Sequence, residues 1–149
     1  MKKFLFMVLM AASIGVNAQT KAQKTGIAEF DNLQYSKGKT VFYFDQEGLD
    51  SKKKNRDSVV ERKVFKYKNS YIVADYDLKK RPILIYETNN DANKLTELTI
   101  NGYRVSYYEN GKIQHMGRYK NGKEDGEHIA YREDGKVVIT TYKNGKKVK

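Results

Sequence analysis

The chain contains no cysteine and no tryptophan, and only one proline among its 149 residues. Without cysteine it cannot build a disulfide framework or a thiolate zinc site. At this length it is also too short for a typical eight-stranded α/β barrel, and we expect one globular domain. These absences exclude several common secreted and enzymatic scaffolds.

Only the N-terminus carries a long apolar run. Two lysines precede the apolar residues 4–16, a run of about 20 Å as a helix and therefore shorter than the ~30 Å core of a bilayer. Val16 and Ala18 occupy the −3 and −1 positions of a cleavage site before Gln19. We therefore predict that residues 1–18 are a secretory signal peptide. The mature protein is then periplasmic or extracellular, with no transmembrane segment.

Acidic residues are scarce relative to basic ones. Asp and Glu number 18 against 29 Lys and Arg, which gives a formal net charge of +11. Such a balance favours association with polyanions. Because export argues against genomic nucleic acid, the expected partner is a protein or an envelope polymer. The oligomeric state is left open by the sequence.

Helical periodicity is absent after the apolar run. Residues 19–38 mix Gly, Ser, Asn and Lys and are predicted to be a flexible linker. Residues 39–149 are predicted to form a β domain, because β-branched and aromatic runs end there at turn-forming residues. The expected fold is all-β, an antiparallel meander of β-hairpin repeats forming an open, twisted sheet.

The C-terminal part contains an internal repeat. Asn-Gly and Asp-Gly dipeptides close its units, and they favour two-residue hairpin turns with positive φ at both positions. We therefore predict such turns at 110–111 and 134–135, with positive φ at Gly111 and Gly135. Five residues of one unit recur 24 positions later: Gly102, Tyr107, Glu109, Gly111 and Lys112 return as Gly126, Tyr131, Glu133, Gly135 and Lys136.

The predicted turns set an expected register and therefore an expected core. Counting outward from them places Val105 opposite Met116, and Tyr107 opposite Gln114. In the second hairpin, Ile129 faces Thr140 and Tyr131 faces Val138. Period-two alternation then gives one buried face, and the residues predicted for it are Val105, Tyr107, Met116, Ile129, Tyr131 and Val138. The opposite face presents Arg104, Tyr108 and Arg132, which are the candidate partner-binding residues.

Residues 102–149 resemble the variant MORN repeat. The segment that begins G-R-Y-K-N-G-K-E-D-G-E at Gly117 is similar to the family pattern G-x-Y-x-N-G-K-x-x-G-x-W. His128 stands where the family has Trp, which implies looser packing of that strand. The resemblance implies a β-hairpin meander and repeat-mediated interaction. Some members are labelled antitoxin components, a cytosolic role against which the predicted signal peptide argues.

Few residues suggest chemistry. Counting from a tight turn at Asn121-Gly122 places His115 opposite His128, but two histidines without a third ligand make a poor zinc site. A packing or surface role is favoured for them. No serine lies in a G-x-S-x-G motif, and the carboxylates of residues 124–127 lie in a turn rather than a cleft. We predict no catalytic residue, no cofactor and no metal.

These observations favour an exported, non-catalytic binding module at the cell envelope. Two alternatives remain open, a carbohydrate-active enzyme and a polyanion-binding protein. Convergent carboxylates in a closed pocket would favour the enzyme. Binding that weakens steeply with added salt would favour the polyanion-binding protein.

Overall fold

The computed structural model describes residues 21–148, so the predicted signal peptide lies outside the described residues. Within these residues, ten strands form one open antiparallel sheet, in the order β10-β9-β8-β7-β6-β5-β4-β3-β1-β2. The predicted all-β meander of hairpins is therefore confirmed. No helix within residues 21–148 is long and apolar enough to cross a bilayer.

The sheet is preceded by two short helical elements, α1 (Ala28–Asp31) and a 3₁₀ turn (Tyr35–Lys37). Its strands are β1 Lys39–Phe44, β2 Asp50–Ser51, β3 Val60–Tyr67, β4 Ser70–Asp77, β5 Pro82–Thr88, β6 Ile100–Tyr107, β7 Ile113–Lys120, β8 Lys123–Tyr131, β9 Val137–Lys143 and β10 Lys146–Lys147.

Two kinds of turn connect the hairpins, and each kind lies at its own end of the sheet. Between β6 and β7, Tyr108 N–H donates to the Lys112 carbonyl and Gly111 N–H donates to the Tyr108 carbonyl. Arg132, Gly135 and Lys136 repeat this pattern between β8 and β9. These are three-residue loops closed by a left-handed glycine. Positive φ at Gly111 (81°) and Gly135 (84°) is thus confirmed.

The two-residue turns lie instead at Asn121-Gly122 and Asn144-Gly145. Both residues of each pair have positive φ, 50° and 78° in the first and 50° and 79° in the second. Among the described residues, Asn110 and Asp134 do not share that conformation. The prediction of two-residue turns at 110–111 and 134–135 is therefore wrong.

The longer loop changes the register of the second hairpin by one residue. Tyr131 pairs with Val137 and Ile129 pairs with Ile139. Because side chains alternate between faces, Val138 moves to the face opposite the predicted core. In the first hairpin, Val105 faces Met116 as predicted, whereas a bulge pairs Tyr107 with Ile113 rather than with Gln114.

One face of the sheet carries the larger core, and we call it the core face. Its buried residues include Ile72, Tyr76, Ile85 and Val105, with Met116 and Tyr131 partly buried at the margin. Residues 21–38, the described part of the predicted linker 19–38, pack on this face. Their Phe30 is only 3% exposed and belongs to the core cluster.

The second face, which we call the repeat face where it spans β6–β9, is also covered over its central strands. Val73, Leu84 and Tyr86 pack there beneath the loop that follows β5, with Ala92 of that loop fully buried. Arg62 forms a bidentate pair with Asp75 on this side, with N–O distances of 2.7 and 2.8 Å. Burial alone would lower the pKa of Arg62, but the adjacent Asp75 carboxylate raises it.

The repeat is visible in the backbone as a pair of matching bulges. Gly102 in β6 and Gly126 in β8 both have positive φ, 124° and 112°. At each bulge, the glycine of the next two-residue turn donates its N–H to the carbonyl two residues before the bulge glycine. Gly122 N–H donates to the Ile100 carbonyl and Gly145 N–H to the Glu124 carbonyl, both at 2.8 Å. The recurring glycine therefore marks a kink in the strand rather than a turn.

Candidate functional site

Strand alternation places the three predicted binding residues on the repeat face. Arg104 lies in β6 and is partly exposed, whereas Arg132 follows β8 and is exposed. Tyr108 is partly exposed, and its hydroxyl donates to the Tyr131 carbonyl at 2.7 Å. The structure therefore leaves the two arginines available to solvent, while the tyrosine hydroxyl braces the first hairpin against the second.

A row of residues crosses the repeat face from Arg104 through Gly117 to His128. Each is the cross-strand neighbour of the next, in β6, β7 and β8. Gly117 leaves room for the imidazole, since a Cβ at that position would lie 2.3 Å from His128 Nδ1. The histidine ring consequently lies over the β7 backbone and is buried, with 3% exposure.

His128 is the centre of an aromatic cluster formed by both repeat units. Its ring makes edge contacts with Tyr119 and Tyr142, at centroid distances of 5.0 and 5.1 Å. These tyrosines begin the two Tyr-Lys-Asn-Gly-Lys turns. Position 128 is thus a packing position, and the histidine fills it.

The two histidines meet diagonally rather than directly across the strands. His115 pairs with Ala130, and Gly117 pairs with His128, because β8 contains two extra residues near Gly126. His115 Nε2 nevertheless lies 3.3 Å from His128 Nδ1. Sequence reasoning brought the pair together for the wrong register, since it assumed an unbroken ladder from the turn.

Hydrogen bonds assign the tautomers of this pair. The Arg118 carbonyl is an acceptor only, so His128 Nε2 donates to it at 2.8 Å. In the neutral ring His128 Nδ1 is then an acceptor, and His115 Nε2 donates to it. His115 Nδ1 is left as a buried acceptor without a partner in the described residues.

The environment keeps His115 neutral. Burial lowers the pKa of His115 to about 4, and the positive charge of Arg104 and the neighbouring His128 act in the same direction. At neutral pH the ring is therefore uncharged.

The structure also contains a groove that the sequence analysis did not predict. A groove of about 420 Å³ lies where β1 begins and β3 ends, over a floor that includes Val64 and Tyr71. Lys66 Nζ lies 4.6 Å from the centre of the Tyr71 ring. The groove is formed by residues that are distant in sequence, so only folding could reveal it. Three lysines line it: Lys37, Lys39 and Lys66.

Neither feature brings together the ligands of a metal ion. Within residues 21–148, no group of three or more His, Asp or Glu side chains is placed to hold one. No family of known proteins, no curated protein and no solved structure matches this chain. The geometry of the repeat face is therefore the basis for a functional proposal.

Proposed function

We propose that this chain is an exported, non-catalytic binding module whose MORN-like hairpin repeats contact a protein or an envelope polymer. The observation that carries the proposal is the repeat face itself. Two units with matching bulges and turns align Arg104, His115 and Arg132 along one side of a continuous sheet. Repeat proteins recognise partners with surfaces of this kind.

The internal bonds of the histidines support binding rather than turnover. His128 is buried and both of its ring nitrogens have partners. His115 has a pKa near 4, so its conjugate acid is almost absent at neutral pH. His115 therefore does not supply a general acid matched to pH 7.

A photo-crosslinking side chain at Arg132 tests the proposal. The matched control is Arg118, which is also exposed but lies on the core face, where its guanidinium sits 5.8 Å from the Tyr103 ring centre. In intact cells we expect a discrete cross-linked product from position 132 and none from position 118. Equal labelling at both positions, or none at either, contradicts the proposal.

The lysine groove favours one alternative, a polyanion-binding protein. Under that reading, binding to an acidic polysaccharide falls steeply with added salt, because counterion release drives it. The double substitution Lys39→Ala and Lys66→Ala would then abolish binding, whereas Arg132→Ala would leave binding intact. The opposite result favours the repeat face.

A further inference from the structure

The two edges of the sheet are built differently. At one edge, β2 has only the two residues Asp50 and Ser51, and the exposed lysines 52–54 follow it. Such short, charged edges prevent strand addition. At the other edge, β10 covers only the end of β9, pairing with Tyr142 and Lys143. Residues 137–140 of β9 therefore form an uncharged edge with high β-propensity.

This open edge is also apolar. The exposed fractions of Val137, Val138 and Ile139 are 54%, 42% and 59%. Val137 and Ile139 share the core face with Ile129, their neighbour in β8, while Val138 points to the repeat face. Three adjacent large apolar side chains are thus exposed on a strand segment that, among residues 21–148, has no neighbouring strand on one side.

Backbone bonds show which groups this edge offers. Val148 N–H donates to the Thr141 carbonyl from the outer side, and Arg132 N–H donates to the Lys136 carbonyl from the inner side. Because these directions alternate along an antiparallel strand, Val137 and Ile139 direct their N–H and C=O groups outward. Four backbone groups are available to an added strand.

We propose that two copies of this chain pair through β9, antiparallel, about a twofold axis at Val138. In this register Val137 of each copy forms a hydrogen-bonded pair with Ile139 of the other, which uses all four outward groups. The two Val138 side chains meet at the axis on the repeat face. On the core face, Ile129, Val137 and Ile139 of both copies form one apolar surface.

The charges beside the edge suit a second copy. The same register directs the loop after β8 of one copy toward Lys146 and Lys147 in β10 of the other. In this loop Asp134 pairs with Lys136 at 3.7 Å, which leaves Glu133 as the acidic residue available to those lysines. The contact is isologous, so it closes as a dimer. The short β2 edge stops further addition and explains why this surface yields a pair rather than a filament.

A single cysteine tests this register, since the chain has no other. In the antiparallel arrangement Val138 faces itself in a non-hydrogen-bonded pair, where Cα atoms lie about 4.5 Å apart. Val138→Cys should therefore form an intermolecular disulfide with oxidised glutathione, which is reduced to two glutathione molecules for each bond. The matched control is Leu78→Cys, at an exposed leucine (64%) far from β9.

We expect Val138→Cys to cross-link at least about tenfold faster than Leu78→Cys, because pairing raises the effective thiol concentration. Equal rates overturn the proposal. Analytical ultracentrifugation of charged variants at position 138 provides a second test. Val138→Lys and Val138→Asp should each be monomeric, and their equimolar mixture should dimerise. The proposal is also overturned if the wild-type chain stays monomeric when sedimented at increasing protein concentrations, or if the Val138→Lys variant dimerises like the wild type.

Discussion

His128 shows how one residue can join two repeat units. Its imidazole lies over Gly117 and contacts Tyr119 of one unit and Tyr142 of the next. An indole at this position would add area but could not donate to Arg118 and accept from His115 at the same time. The histidine therefore has a smaller ring than an indole, but it forms a hydrogen bond to the ring of His115.

Protonation of His115 makes the stability of the protein depend on pH. Its pKa is about 4 in the folded protein, below the ordinary value of 6.5. As the pH falls below 6.5, the unfolded chain binds a proton that the native ring does not, so the free energy of unfolding decreases toward pH 4. Glu61 also has a lowered pKa, but its contribution to the free energy of unfolding changes only below its ordinary value of 4.5. Above pH 5 the change therefore reports on His115.

We predict that His115→Gln flattens this dependence. Gln keeps a polar side chain but cannot be protonated, so its free energy of unfolding should change less between about pH 7 and pH 5 than that of the wild type. Urea denaturation at several pH values measures both slopes. Identical slopes would show that His115 does not have the lowered pKa.

Among the elements, the N-terminal segment is the one whose role folding changes most. Residues 21–38 lie on the core face and are fastened at both ends. Gln23 exchanges hydrogen bonds with Gly111 and Ile113, and the Tyr35 hydroxyl donates to Glu61. The hydroxyl of Tyr67 donates to Glu29 of α1 at 2.6 Å. The segment thus completes the core instead of spacing the domain from its surroundings.

We predict that Phe30→Ala lowers the free energy of unfolding by about 3–5 kcal/mol, because it empties a buried site. The matched control is Gln34→Ala, which lies in the same segment but is exposed. That change should have little effect. Chemical denaturation compares the two variants. Equal stabilities would mean that the segment is a linker after all.

At the scale of the whole molecule, the two faces of the sheet are covered unevenly along its length. The N-terminal segment and the loop after β5 bury the central strands, whereas β9 and β10 are mostly exposed. The repeats at this end have too few large apolar residues to bury both of their faces. The candidate binding residue Arg132 and the proposed dimer edge both lie in this open part.

The proposed role also depends on export of the whole chain. We predict that the mature protein begins at Gln19, since Val16 and Ala18 form the cleavage site. Mass spectrometry of the purified protein measures its N-terminus. Ala18→Leu, which places a large residue at the −1 position, should block processing. An intact Met1 on a cytosolic wild-type protein would contradict export and would revive the antitoxin reading.

The sequence by itself determined the strands, the repeat and the left-handed glycines. These features follow from local preferences: β-branched and aromatic residues favour extended backbone, and glycine tolerates positive φ at Gly111 and Gly135. It also placed Arg104, Tyr108 and Arg132 on the face opposite Val105, because alternation is a local rule.

Only the tertiary structure decided the register, the cover of each face and the open edge. Asn-Gly closes a two-residue turn at 121–122 but ends a three-residue loop at 110–111, so the dipeptide alone does not specify the turn. The one-residue difference moved Val138 to the repeat face. Likewise, Phe30 reaches the core through contacts with strands far along the chain. Such contacts depend on distant residues meeting, and local patterns do not contain that information.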